Sequence, residues 1–192
     1  IVSKVTRPKK AKTPPAPFTT SPMQQASVNR LGFSAKKTMM LAQQLYEGIE
    51  LPEGPVGLIT YMRTDSLNVS AEAAAMAAGA IKEKFGAEYA LPVQHVFKTK
   101  SKGAQEAHEA IRPTDPARLP ESVASALSPD QLKLYQLIWR RFVASQMAAA
   151  ETETTAADIE AGNYTFRAAG TVILFDGYTK ALGVTKEEEK TL

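Results

Sequence analysis

At 192 residues the chain is long enough for one ordinary domain with a full core, or for one domain and part of another. Its 44% apolar and 22% charged residues exclude a disordered chain; no apolar run approaches the roughly 18 residues that span a bilayer, and the basic N-terminus has no apolar signal core behind it, so neither membrane insertion nor secretion is implied. The lack of cysteine excludes a disulfide framework and a thiolate metal site and fits a reducing cytoplasm. Any metal would need oxygen ligands or the two histidines, His95 and His108. Charge is unevenly spread: residues 1–48 carry +7, 49–150 carry 0 and 151–192 carry −4. A basic front segment is the footprint of a phosphate-binding surface, and equally of a solvated basic arm.

In chain order, Ile1–Arg7 is β-branched and roughly alternating, then runs into a Lys/Pro tract ending at Pro17; this predicts a short strand followed by a linker. Ser21, with Pro22 and then Gln24, predicts a capped helix that stops at Gly32. Ser34 opens a second helix with apolar Ala35, Met39, Leu41, Ala42 and Leu45, ending at Gly48. This pair has the spacing of a helix-turn-helix, although a plain helical hairpin is the commoner arrangement at that spacing. The turn cluster 51–57 delivers the chain into Leu58–Tyr61, a short strand candidate, and Ser70 caps an Ala-rich helix running to Phe85-Gly86. A short helix is expected around Gln105–Ile111, stopped by Pro113. Ser128-Pro129-Asp130-Gln131 opens a long helix whose Leu132, Tyr135, Ile138, Trp139, Phe142 and Val143 share a core-facing side. Beyond Glu151 the period changes from 3.6 to 2, with a turn at Ala161-Gly162-Asn163, which predicts a β-hairpin. Strands at both ends of a helical middle predict a multi-domain α and β chain. Its helical domain, over 20–150, is an orthogonal bundle containing the helix-turn-helix-like pair, inserted between strands of an incomplete β domain built from 1–19 and 151–192.

Reactive groups are concentrated in Thr60–Ser66 and Gln105–Pro113. Residues two apart on an extended chain share a face, so Tyr61 and Arg63 can point the same way. Free tyrosine titrates near pH ~10; a nucleophilic phenol therefore needs nearby positive charge or a proton acceptor. Arg63 supplies the former and also binds phosphate oxygens, and His108 adds a proton-transfer or phosphate-binding group. Spacing alone leaves the commoner structural roles open for all three.

The ten residues Gly57-Leu-Ile-Thr-Tyr-Met-Arg-Thr-Asp-Ser66 closely resemble the active-site signature of bacterial type IA DNA topoisomerases. Three further stretches match that family in its order: Pro17–Ser21 with Gln24-Gln25 and Leu31-Gly32-Phe33; Lys36–Met40 with Ala42-Gln43; and Ala107–Pro113. The match is good over about residues 14–150 and weaker at the ends.

The resemblance implies an isomerase in which Tyr61 attacks a DNA phosphodiester, forms a 5′-phosphotyrosine and leaves a free 3′-hydroxyl, so that religation needs no ATP and negatively supercoiled DNA is relaxed. Arg63 would offset charge at the scissile phosphate, with His108 close by; Asp65 and Thr64 would orient the site; Arg112, Lys36 and Lys37 would hold DNA. The helical domain would swing open about junctions near Thr20 and Ala150 to pass a strand. The family's Mg²⁺-binding acidic domain is absent from these residues, so the chain is expected to be an excised fragment, inactive by itself and working with the remaining domains of its enzyme. It would be a monomer in the cytoplasm, associated with the nucleoid, with single-stranded or negatively supercoiled DNA as partner. A tyrosine-recombinase-like enzyme is the enzymatic alternative, but it places Tyr after its Arg and His, whereas Tyr61 precedes His108 and Arg112. A non-catalytic helix-turn-helix DNA-binding module is the other.

Overall fold

The computed structural model describes residues 1–93, 95–97 and 108–183. It is a mixed α and β structure in which both chain ends contribute to one sheet. Strand β5 (Ala150–Ala161) pairs along its whole length with β6 (Tyr164–Phe175), and β1 (Val2–Thr6) and β2 (Lys9–Lys12) also pair antiparallel with it. The sheet does not close into a barrel. Gly162, at φ 62°, makes the tight β5–β6 turn, a backbone conformation that costs glycine little.

The Lys/Pro tract is thus not all linker, because Lys9–Lys12 is a strand. With twelve residues, β5 is long enough to pair β1 and β2 in succession. Lys9 lies opposite Glu153, an opposite-charge pair. Pro8 interrupts the donors, yet its carbonyl still accepts from Thr154 at 3.1 Å.

Between the strands lie helices α1 (Thr20–Leu31), α2 (Ala35–Glu47), α3 (Ala71–Lys84) and α4 (Pro129–Ser145), the small hairpin of β3 (Ile49–Leu51) and β4 (Gly54–Val56), and, after β6, the short α5 (Thr179–Leu182). The predicted caps of α2, α3 and α4 are formed: Ser34, Ser70 and Ser128 each accept a backbone N–H three residues on, and Gln131 completes a capping box. Helix α1 begins before the predicted Ser21 cap, and its N-cap, Thr19, makes no side-chain capping bond. Gly32 ends it in the left-handed conformation at φ 69°. The apolar face of α4 is the centre of the core: Tyr135, Ile138, Trp139 and Val143 are buried in one cluster with Met23, Leu45 and Leu58, with Leu132 at its edge, and Phe142 is buried outside that cluster. The Tyr135 hydroxyl and the Trp139 indole are satisfied in this core, Tyr135 by the Arg118 carbonyl at 2.8 Å and Trp139 by the Pro116 carbonyl at 2.9 Å, whereas the buried Ser27 hydroxyl on α1 has no partner among the described residues. Burial pushes the Tyr135 phenol well above its ordinary range.

Two predicted elements differ. Leu58–Tyr61 is extended but forms only a single bridge, Ile59 to Pro113. The Arg112 N–H, which a continuing ladder would give to the Thr60 carbonyl, goes instead to the Thr60 hydroxyl at 3.0 Å; the side chain displaces the next rung. The helix expected around Gln105–Ile111 begins outside the described residues, and His108–Ile111 is not helical. Ala110 and Ile111 donate to the distant Asn68 and Phe18 carbonyls at 2.9 and 2.8 Å rather than to a preceding turn.

Candidate active site

Three stretches distant in sequence meet at the Thr60–Ser66 segment. From the front, Thr20 holds it: the Thr20 hydroxyl lies 2.8 Å from the Met62 carbonyl and 3.0 Å from that of Thr64, and accepts the Thr64 N–H at 2.9 Å. The Thr20 backbone N–H also donates to the Thr64 carbonyl at 3.0 Å. From behind, the Thr60 hydroxyl donates to the Ala110 carbonyl at 2.7 Å, and its N–H to the Arg112 carbonyl at 2.9 Å. The third side closes where Phe18 bridges Ile111.

Within this frame the segment alternates strictly. Met62, Thr64 and Ser66 are buried, whereas Tyr61, Arg63 and Asp65 are exposed. The buried polar members turn the loop on itself: the Thr64 hydroxyl accepts the Ser66 N–H at 3.0 Å and the Ser66 hydroxyl accepts the Asn68 N–H at 3.1 Å. The segment bends at Met62-Arg63, and with its even-numbered side chains held inward its odd-numbered ones are left exposed.

Tyr61 is 38% exposed between buried Ile59 and Met62. Its ring meets Tyr46 edge-on, with centroids 5.3 Å apart, and is tilted 38° to the His108 ring at 6.4 Å. His108 in turn lines an open cavity of about 470 Å³ together with Arg63, Thr64, Asp65 and Thr19–Ser21 at the start of α1. The structure therefore brings Tyr61, Arg63 and His108 to one surface, with space beside them for a small anionic group.

A sequence model of the DNA topoisomerase family matches residues 1–192, the whole chain. The chain belongs to the DNA topoisomerase family. It is 52% identical over 170 residues to DNA topoisomerase 1 of Campylobacter jejuni, covering 88% of this chain and 24% of that protein. Against DNA topoisomerase 1 of Helicobacter pylori strain 26695 it is 48% identical over 183 residues, covering 95% of this chain and 25% of that protein. Full-length topoisomerase I from Thermotoga maritima superposes with a TM-score of 0.82 at 43% identity, over 97% of this chain and 30% of that one. The chain thus spans about a quarter of the length of the curated relatives it matches.

The other residues singled out in this topoisomerase chain are placed differently. Arg112 turns away from the cavity: its guanidinium bonds Glu109 at 2.6 and 2.9 Å and the Pro113 carbonyl at 3.0 Å, and its side chain is 12% exposed. Asp65 shares the cavity with Arg63 but forms no ion pair with it among the described residues. Lys36 and Lys37 lie at the start of α2 and do not line the cavity. Lys37 pairs with Asp130 of α4 at 2.6 Å and covers the Phe33 ring at 4.4 Å, tying the two helices together, whereas Lys36 is exposed. Sequence reasoning missed Thr20 and Thr60, whose hydroxyls fix the segment; both lie inside stretches that match the family, which was the available signal. Tyr46 was missed too, and only its place in space marks it.

Among the described residues no three Asp, Glu or His side chains come together as a metal site. The described residues do not by themselves fit a Mg²⁺ site. No helix of the described residues is long and apolar enough to cross a membrane.

Proposed function

We propose that this chain supplies the nucleophile-bearing part of a type IA topoisomerase active site, acting on one strand of negatively supercoiled DNA without ATP. The observation that carries it is the exposed Tyr61 phenol beside His108, with His108 and Arg63 lining one cavity. The Tyr61 oxygen attacks phosphorus as the bond to the 3′-oxygen breaks; the phenolic proton is lost, the 3′-oxygen leaves as a hydroxyl, and a 5′-phosphotyrosine remains. Phosphodiester is exchanged for phosphodiester, and the reverse step religates the strand after passage of another. Arg63 meets the charge that develops on the phosphate oxygens, and His108, next to both, is the proton-handling or phosphate-binding neighbour. Thr20, Thr60 and Thr64 position the segment. Arg112 belongs with them, since its guanidinium is committed to Glu109, and Lys36 remains available to DNA phosphates.

The helical domain over 20–150, set between β1–β2 and β5–β6, which share one sheet, is proposed as the moving part, with hinges near Thr20 and Ala150. The monomer would act in the cytoplasm at the nucleoid, with Mg²⁺ and the opposing half of the site supplied by the remaining domains of the full-length enzyme. The test is Tyr61→Phe in that enzyme. It removes one oxygen and leaves the ring contacts, so single-strand binding should persist while the denaturation-resistant protein–DNA adduct disappears. An adduct that still forms, or one joined to the 3′-phosphate, would refute the assignment.

A further inference from the structure

A second depression adjoins the first. It runs between α1 and α4, has a volume of about 490 Å³, and meets the Tyr61-side cavity at the turn into α1: Phe18 and Pro22 line the groove, and Thr19–Ser21, between them, line the cavity. Four cations line it, Arg30 from α1 and Lys133, Arg140 and Arg141 from α4, and no acidic residue does. The acids at its border are taken by other lysines. Asp130 lies 3.9 Å from Lys133 but 2.6 Å from Lys37, and Glu121, whose carboxyl feels the charge of Arg140, is bonded to Lys84 at 3.4 Å. Arg141 is drawn inward, its Nε donating to the Ala16 carbonyl and its guanidinium 4.9 Å from the Phe18 ring centre. Burial and the nearby charge of Arg30 both disfavour its protonated form. Two arginines held within reach of each other without a shared acid repel, and a polyanion relieves that repulsion. The remaining lining is mixed: Phe18 and Leu137 are apolar, and the amides of Gln25, Asn29 and Gln136 can meet base edges.

We propose that the α1–α4 groove binds a single DNA strand, continuing the path of the strand held at Tyr61 across the turn at residues 18–22. The choice of polyanion rests on the topoisomerase reading; the groove itself rests on four cations lining it with no acidic residue among its lining.

The experiment titrates the full 192-residue chain, isotopically labelled, with oligothymidylate about eight nucleotides long, within the site sizes of single-strand binders. Backbone amide shifts and fluorescence anisotropy are read at several salt concentrations. Shifts are expected at Asn29, Arg30, Gln136 and Arg140 as well as at Arg63–Asp65. The double variant Arg30→Gln/Arg140→Gln should weaken binding and reduce the magnitude of the salt slope by about 1.4, two phosphates at about 0.7 each. Lys133→Gln, at an exposed position of the groove, should reduce it by about 0.7 and serves if the double variant unfolds. Lys82→Gln, on α3 outside both depressions, should change nothing. Shifts confined to Thr19–Ser21 and Arg63–Asp65 would overturn the groove and leave the tyrosine site standing. Shifts in the groove with none at Arg63–Asp65 would support the groove and overturn the tyrosine site. Displacement of the oligonucleotide by hexaglutamate at equal charge concentration would show a site for acidic peptide instead and overturn the proposal.

Discussion

Thr20→Val tests whether the Tyr61 segment is held from the front by one hydroxyl. Valine keeps the shape of threonine and removes the oxygen that lies 2.8 Å from the Met62 carbonyl and receives the Thr64 N–H at 2.9 Å. Thr64 is 8% exposed, so water does not readily replace that acceptor. Losing one hydrogen bond costs about 1 kcal/mol, and leaving a buried N–H unsatisfied raises the total to about 2–3 kcal/mol. At about 2–4 °C per kcal/mol for a chain of this size, the melting temperature should fall by about 4–12 °C. Thr20→Ser, which keeps the oxygen and loses a methyl group, should fall by less than half as much. Thermal unfolding followed by circular dichroism reads both, with coincident probes to establish a two-state transition. In the full-length enzyme Thr20→Val should also slow adduct formation more than it weakens DNA binding, because the damage is to the placement of Tyr61 and Arg63. A melting temperature within 1 °C of the parent, or equal losses for valine and serine, would refute the reasoning.

Gly177→Ala should destabilise the chain strongly, because φ is +49° there and an added Cβ would sit 2.5 Å from the Ala149 carbonyl oxygen; a melt unchanged from the parent would contradict the close approach of the β6 end to the start of β5. The Asp130 carboxyl is held below its ordinary range by the hydrogen bond from Lys37. Its contribution is therefore present above the unfolded value near ~4 and lost as pH falls through the lower folded value. Asp130→Asn and the parent should accordingly differ slightly at neutral pH and converge in acid; a difference that grows on acidification has the wrong sign. Finally, this chain incubated with supercoiled plasmid and Mg²⁺ should show no relaxation, since orientation by the complete site is worth effective molarities on the order of 10⁵ M or more. Measurable relaxation would mean that these residues hold a complete site.

Local rules were sufficient wherever an element depends on its own residues. Serine caps at positions 34, 70 and 128, the apolar face of α4 and the β5–β6 hairpin follow from hydrogen-bond donors at helix starts and from hydrophobic period, and each stands where the sequence places it. The family is legible for the same reason, because a contiguous ten-residue signature with ordered flanking motifs survives in the linear chain.

What only the tertiary structure decided are the features whose partners lie far away. Leu58–Tyr61 has strand composition, but the Thr60 hydroxyl takes the donor that a ladder needs, and that donor belongs to Arg112, 52 positions away. Lys9–Lys12 looks like a linker and becomes a strand because β5 offers it an unpaired edge near the other end of the chain. Arg112 and Lys37 carry charges that in sequence suit DNA equally well, and folding commits them to Glu109 and Asp130. A signature determines which groups are available. Which of them are left exposed depends on long-range hydrogen bonds, here those of Thr20 and Thr60, because an irregular segment shows whichever side its neighbours leave uncovered.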